Sequence, residues 1–565
     1  MPQKAIYGRK PLVTCSMSVL SNGQARTDDE RTARLYEWAC GCIDEPEVWE
    51  GTFSLACLTR DDPMKEPVTE KILAALSEST EGALPGGWKT QLQTARAALA
   101  VYEYCLDKSI PARLASWCGE MELKWDEAAA EQSFRVCPAD LMSFLVRFYR
   151  VTGMKTALRL CARLRSAAMD WTTILHSFHQ RQPLSKVNSA DEISSVMSGE
   201  VKDETDFLYR QYLTNHAELF ADGARYTVWS GIFSGNGQDM SACEKGWHTV
   251  SRDHGAVCGG TTGDVLLAGR GTDKGIYAAA QAAWTEAFIS QASVSGAPWA
   301  LNALTRLAFN GMPACIGKNG PVIFQRANTL TDDPGSAGCF DPQESKGQTA
   351  HVIGRLARAW AAMYRSAVMP DPEGFSVNLP LEGRFALSAG REPVSVRMEK
   401  DRITIRAPKG LKSSIRLYMA DTETRTARAT MGDKTAVSEE NAASEGAYLV
   451  MSGDGSTDCG INLDRSGRLA VIDTHHEGVC CFEDNRLMAA DTGRYDYSAA
   501  ACGEPETRTD RAVITVKKVS KWNSRAGIPA DIPVLPSAEG EPETEELTAY
   551  ADTPCRIAVF PRAMS

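Results

Sequence analysis

Between Ser251 and Gly275 the chain reads SRDHGAVCGGTTGDVLLAGRGTDKG. Arg252, Asp253, His254 and Asp264 stand there among glycines, on a backbone too rich in glycine to continue a helix. Helical patterns flank the segment, and a loop so placed is where a helical scaffold carries binding or catalytic groups. Arg252 and His254 suit hydrogen bonding to hydroxyl groups; the plain alternative is a solvated charged loop. Asp264 could close a turn after Gly263 as readily as touch a substrate, since Asp favours both places. His216 shares a helical face with Leu208, Tyr212, Leu219 and Gly223. It reads either as a satisfied core histidine or as a substrate-binding group on an inward face.

The elements that must hold these groups are written in two styles. From residue 28 to about 368 apolar residues recur at helical spacing, as in Leu35, Trp38, Ala39 and Cys42, or Val352, Leu356, Trp360 and Tyr364. A long run of helical hairpins without strands buries its faces by stacking pair on pair, as toroids and solenoids do. The pattern changes at Met369-Pro370-Asp371-Pro372. Period-two segments follow, among them Val394–Met398, Ile403–Arg406, Val513–Val516 and Arg556–Phe560, and these predict a β-sandwich region. The acidic, proline-rich stretch from Pro529 to Glu546 reads as a surface loop.

The chain has 565 residues, 43% hydrophobic and 24% charged, which fits a soluble globular protein of at least two domains. No 18-residue apolar run predicts a transmembrane helix, and the first twenty residues lack the apolar core of a secretory signal. A net charge of −11 disfavours nucleic acid and anionic membrane as partners and agrees with a neutral substrate. The 17 cysteines are odd in number and lack framework spacing. Several sit in apolar helical contexts (Cys57, Cys105, Cys118, Cys161), as reduced, buried thiols of a cytoplasmic protein do. Cys40-Gly-Cys42 and Cys480-Cys481 have no second ligand pair at zinc-finger spacing. His475-His476-Glu477 reads as a surface or packing feature.

An ordered set of motifs adds a further reading. Asn215-His216-Ala217-Glu218 is followed by Glu244-Lys245-Gly246-Trp247, His254-Gly255, Gly263-Asp264 and Leu267-Ala268-Gly269. Then come Phe309-Asn310-Gly311-Met312-Pro313-Ala314 and Gly338-Cys339, with Trp522-Asn523 and Cys555–Pro561 near the end. In this order they resemble the β-L-arabinofuranosidase-like glycosidases, glycoside hydrolase family 127 and relatives, over roughly residues 200 to 565. The resemblance implies an (α/α)6 barrel followed by β-sandwich domains. It also implies a cysteine thiolate nucleophile activated by zinc, with a Glu as acid/base, in place of the usual two carboxylates.

Carried over singly, the resemblance puts Cys339 at the nucleophile position and Phe340 where the family has a second thiolate. Ile276-Tyr277-Ala278-Ala279 stands where the family's ligand pair follows Gly275, and the acid Glu is Val265, leaving Asp264. Three of four zinc ligands are therefore replaced. A closed zinc site needs about four, so no metal and no cofactor is expected, and Cys339 should titrate near an ordinary thiol at about 8.5. Gln343 takes the place of an amide that binds substrate. Asp341 or Glu344 could supply a second carboxylate.

The sequence thus predicts a helical catalytic-type unit over residues 1–368 and a β-sandwich region over 369–565, in a cytoplasmic protein, with homo-oligomerisation left open. Its expected function is hydrolysis of a small neutral glycoside or oligosaccharide, an L-arabinofuranoside among the candidates. Asp264 and Cys339 are the catalytic candidates, and His216, Arg252, His254 and Gln343 the substrate-binding ones. The rival is a carbohydrate-binding or regulatory relative without turnover. A weaker third reading is a lyase or isomerase, because fold alone does not fix chemistry.

Overall fold

The computed structural model describes residues 25–78, 83–181, 212–263, 265–272, 274–328, 346–371, 374–389, 392–406, 413–431, 434–437, 447–453, 458–464, 468–474, 478–491, 499–509, 511–519, 538–553 and 556–560. The helices come first: α1 (Glu30–Gly41), α2 (Pro46–Thr59), α3 (Pro67–Ser77), α4 (Trp88–Cys105), α5 (Ser109–Leu123), α6 (Ala139–Thr152), α7 (Lys155–Ala167) and α8 (Trp171–Ser177). They continue with α9 (Ala217–Ser234), α10 (Gly237–His254), α11 (Ala278–Ser295), α12 (Pro298–Arg306) and α13 (Lys346–Ser366). Local signals set their ends. Asp29 caps α1 by accepting from the Thr32 amide, and Pro46, Pro67 and Pro298 open α2, α3 and α12. α6, α9 and α11 stop at Gly153, Gly235 and Gly296, which take the left-handed conformation with φ of 71°, 70° and 60°.

Six helices form a closed cycle of neighbours: α2 touches α4, α4 touches α6, and the sequence runs on through α9, α11 and α13 back to α2. The remaining helices pack outside it, α1 on α2 and α13, α3 and α5 on α4, α7 on α6, α10 on α9, and α12 on α11. The cycle helices are buried over most of their surface. In α11 every residue from Ala278 to Val294 is buried, as expected for a helix covered on all sides.

Two glycines set the tightest contact in the cycle. A Cβ added at Gly51 of α2 would stand 2.6 Å from the Ala357 Cβ, and one at Gly354 of α13 would stand 2.8 Å from the Glu47 carbonyl oxygen. Only hydrogen at both places lets α2 and α13 approach this closely.

Three sheets follow. Seven strands pair in the order Ala25–Arg26, Gly383–Ala389, Glu392–Glu399, Arg402–Arg406, Asp458–Asp464, Thr426–Met431 and Lys434–Val437. Four pair in the order Ala447–Gly453, Ser413–Met419, Gly374–Val377 and Val368–Asp371. Eight form the last sheet, with Ala470–Asp473, Val479–Glu483 and Arg486–Asp491 at one side and Ala538–Ala549 and Arg511–Val519 beyond. Pairing is antiparallel apart from Gly374–Val377 beside Ser413–Met419. The first two sheets share one apolar core with the helices. The third has a core on each face, and its Phe482, Leu487 and Ala489 pack against Cys258, Ile276 and Ala314 of the helical part. Cys480 and Cys481 fall on its opposite faces and are both buried. Ala25–Arg26, before the first helix, pairs with Phe385 and Arg384, so the chain's two styles share a sheet.

Four local expectations are corrected. Arg252, Asp253 and His254 lie in the last turn of α10, which runs on until glycine begins at Gly255. His216 is the N-cap of α9 instead of a residue within a helix, because its backbone bridges to Leu266. Residues 538–546 of the expected acidic loop are strand, paired to Arg511–Val519. Cys105 is exposed, at the end of α4, while Cys57, Cys118 and Cys161 are buried. No described helix is long and apolar enough to cross a membrane.

Candidate functional site

The interior of the helical cycle is charged. Glu47 and Glu50 come from α2, Arg96 from α4, Asp140 and Arg147 from α6, Glu218, Asp222 and Arg225 from α9, Glu286 from α11, and His351, Arg355 and Arg358 from α13. Residues spaced by three and four share a helix face, so Glu218-Asp222-Arg225 and His351-Arg355-Arg358 each form one inward polar stripe.

His351 stands at the end where α2, α9 and α13 begin. Its Nδ1 is 2.6 Å from Glu47 Oε1 and its Nε2 2.8 Å from Glu218 Oε1. The Arg355 Nε is 2.9 Å from the same Glu218 oxygen, and its guanidinium pairs with Asp222. Deeper, Arg225 binds Glu286 at 2.8 Å and pairs with Asp140, and Arg358 lies 3.3 Å from Glu286. Arg96 holds Glu50 at 2.8 Å, and Arg147 holds Glu103 at 2.9 Å.

Glu47, Asp140 and Glu218 are each the second residue of their helix. Unsatisfied amides and the helix dipole favour an anion there.

These surroundings fix the charge states. The Glu218 carboxylate raises the His351 pKa to about 9 against the opposing effect of burial, so His351 is a cation at neutral pH. Burial would raise Glu218, but His351 and Arg355 outweigh it and hold the carboxyl well below its usual range. Glu47 is likewise lowered, the His351 bond overcoming burial. Glu286 falls to about 2 because Arg225, Arg358 and Arg355 outweigh its burial. His216 moves the other way: burial lowers its pKa, the nearby Glu218 notwithstanding. Two imidazoles thus share this end, one charged and one neutral. The Cys137 thiol lies in the field of Asp222 and Arg355, and burial pushes its pKa far up, so it stays protonated.

Three of the expected site residues, His216, Arg252 and His254, fall among the described ones. The His216 ring caps α9, with Nδ1 3.4 Å from the Leu219 amide, and packs edge-on to Tyr212. His216 is thus beside the charged cluster. His254 is fully buried, and its Nδ1 accepts from the Gly269 amide at 2.9 Å while Nε2 donates to the Gln180 carbonyl at 2.8 Å. Both ring nitrogens are spent on backbone, so the hydrogen bonds to sugar hydroxyls expected of His254 are replaced by a fastening of the glycine-rich loop. Arg252 is exposed and bound to Asp253 at 2.7 Å. It faces a groove outside the helical cycle.

Asp264, Cys339 and Gln343, with Asp341 and Glu344, lie outside the described residues, as do His475, His476 and Glu477. The backbone on either side of residue 264 is pinned: the Gly263 amide donates to Gly275 at 2.6 Å and the Ala217 amide to Val265 at 2.9 Å.

Ile276, Tyr277, Ala278 and Ala279 are buried, with Tyr277 stacked on Phe324 at 5.3 Å. They offer neither carboxylate nor thiol where the resemblance implies a zinc ligand pair. The residues present do not fit that group. Among the described residues no group of three His, Cys, Asp or Glu side chains is arranged to hold a metal ion.

Glu47, His351, Arg355 and Asp222 were not singled out from the sequence. Their signal was present as charged residues at helical spacing on otherwise apolar helices. Glu218 closes the motif Asn215-His216-Ala217-Glu218, where residue type alone gives it no partner.

No family model matches the sequence, and no curated protein matches it. Solved structures do. One described as a glycoside hydrolase superimposes with a TM-score of 0.69 at 11% identity, covering 97% of this chain and 98% of its own. A GH127 β-L-arabinofuranosidase from Geobacillus stearothermophilus T6 gives 0.59 at 12% identity, covering 92% and 88%. Another GH127 β-arabinofuranosidase gives 0.56 at 12% identity, covering 95% and 94%. The chain therefore has the fold of glycoside hydrolase family 127 along nearly its whole length, at identities where likeness speaks for fold alone.

Proposed function

We propose that the chain is a glycoside hydrolase-like protein that takes a small neutral glycoside or short oligosaccharide, an L-arabinofuranoside among the candidates. The site lies at the end of the helical cycle where His216, Glu47, Glu218 and His351 meet. In this reading the six-helix cycle is the inner layer of an (α/α)6 barrel spanning residues 1–368, and residues 369–565 form the β-sandwich region. The protein works in the cytoplasm. The observation that carries the reading is the convergence of ionised carboxylates, a neutral histidine and a charged one in a fold shared with glycosidases.

Asp264 and Cys339 keep their proposed catalytic roles, and His216 and Gln343 bind substrate. Glu218, held ionised, suits the task of a carboxylate nucleophile; a carboxyl held this low is a weak base. Proton donation to the leaving group then falls to Asp264. Zinc has no place in this scheme, because Ile276–Ala279 supply no ligands.

One observation favours the second reading, sugar binding without turnover. Glu47, Glu50, Asp140, Glu218 and Glu286 are each paired with a cation and held ionised. Not one of them is a ready proton donor.

Product release from aryl glycosides, β-L-arabinofuranoside included, separates the two. Hydrolysis is supported if turnover falls at least a hundredfold in Asp264→Asn, Glu218→Gln or Cys339→Ser, and the affected variant identifies the working group. A folded wild-type protein that binds a sugar saturably and releases no product from any of the glycosides supports binding alone.

A further inference from the structure

A cavity of about 1020 Å³ runs between α10 and α12 and is closed at one side by the third sheet. Its lining includes neither His216, Glu218 nor His351. Two half-buried tryptophans wall it. Trp247 of α10 is wedged edge-on against Trp284 and Phe288, with centroids 4.9 and 4.7 Å away, and Trp299 of α12 packs edge-on to Phe288 at 6.1 Å. Both indoles line the groove, and the His248 ring lies beside Trp299 with centroids 5.7 Å apart.

The polar groups between them are incompletely used. Gln291 is 4% exposed and lines the groove; its Nε2 reaches Ser295 Oγ at 3.3 Å, but its Oε1 has no hydrogen-bond partner. Arg270 Nε and Asp421 Oδ1, in residues that line the same groove, are also buried without a partner. Buried polar atoms are nearly always paired in a folded protein, so three such atoms in side chains lining one groove are hydrogen-bonding capacity that a small turn of each side chain offers to an occupant.

The charge is balanced. Arg252, Arg270 and Arg306 face Glu244, Asp421 and Asp473, and Arg306 is bound to Asp421 at 2.7 Å. Such a groove has no net preference for an ion. Aromatic walls with planar hydrogen-bonding groups between them match a neutral ligand that has apolar C–H faces and a rim of hydroxyls.

We infer that the groove between α10 and α12 is a second carbohydrate-binding site, taking a neutral oligosaccharide outside the helical cycle, with Trp299, Trp247, Gln291 and Arg270 as its recognition groups. This also gives Arg252 its place: it belongs to the rim of this groove and not to the site inside the cycle.

The test is titration of the full chain with arabinotriose, xylotriose, cellotriose and maltotriose, followed by calorimetry and tryptophan fluorescence. At least one trisaccharide should bind saturably. Trp299→Ala and Gln291→Leu should each weaken that binding at least tenfold, Trp299→Phe should retain most of it, and Glu218→Gln should leave it unchanged. Circular dichroism establishes that each variant is folded, and the pair of groove substitutions keeps the test open if one is not. Failure of all four sugars to bind overturns the inference. So does binding that survives both groove substitutions, or that is lost in Glu218→Gln alone, which would place the sugar inside the cycle and leave the proposed function standing.

Discussion

At the scale of residues, the interior charges are tied so closely that each has a predictable cost. Asp222 is 1% exposed and pairs with Arg355 and Arg225. Removing one partner from a buried pair leaves an uncompensated charge and costs about 3–5 kcal/mol. Asp222→Asn should lower unfolding stability by that order in urea titrations. His351 has a folded pKa of about 9, above the ordinary 6.5 of histidine. A raised pKa means that its ion pairs contribute fully below about pH 6.5, and that the contribution disappears as pH rises through about 9. The wild type should therefore lose stability over that window relative to His351→Gln, measured as denaturation midpoints at pH 6, 7.5 and 9. Glu218 has the opposite sign: its carboxyl is held low, so its contribution is present at neutral pH and fades on acidification below the usual Glu range. Equal pH slopes for wild type and His351→Gln between pH 6.5 and 9 would rule out the assigned ion pairs.

At the scale of elements, the cluster exists because α2 and α13 touch through glycine. Gly51 faces the Ala357 Cβ, and Gly354 faces the backbone of Glu47. Extra volume in such a contact costs typically about 1–3 kcal/mol. Gly51→Ala should destabilise by that order and should also push Glu47 away from His351. The second effect is visible as a fall in the His351 pKa by NMR titration, and a packing defect remote from the ion pair would leave it unmoved. The helices themselves were readable from spacing, since an apolar stripe is a local property of the chain. The end of α10 is not legible from composition, because Arg252, Asp253 and His254 precede the first glycine and obey the helix rather than the loop. His254 then looked available because nothing in the sequence reveals that Gln180 and Gly269 occupy its two nitrogens.

For the whole molecule, two of the motifs that carried the resemblance, Phe309–Ala314 and Cys555–Pro561, stand at joints between the helical part and the last sheet. Asn310, within the π-helical turn Leu307–Gly311, donates to the Asn485 carbonyl at 3.0 Å and accepts from the Leu487 amide at 2.6 Å. Asn328 holds the amides of Ala558 and Val559 and the Val559 carbonyl. Both side chains are buried and cross from the helical part to the last sheet. Leaving those backbone groups unpaired costs about 1–3 kcal/mol per group. Asn310→Ala should lower the thermal midpoint and loosen the two parts, seen as increased proteolysis in the last sheet ahead of the helices. Unchanged protection there would show that the joint lies elsewhere.

What the sequence determined alone is what local chemistry dictates: helical spacing before residue 368, period-two strands after it, glycine stops and proline starts, and an order of motifs that the fold bears out as a likeness to family 127. What only the tertiary structure decided is which charges meet. His351 lies 304 residues from Glu47 and 133 from Glu218 in the chain. Their pairing depends on the closure of six helices and on two glycines that let α2 and α13 approach. Coulomb energy and desolvation act through space, and a sequence pattern carries no distance between helices.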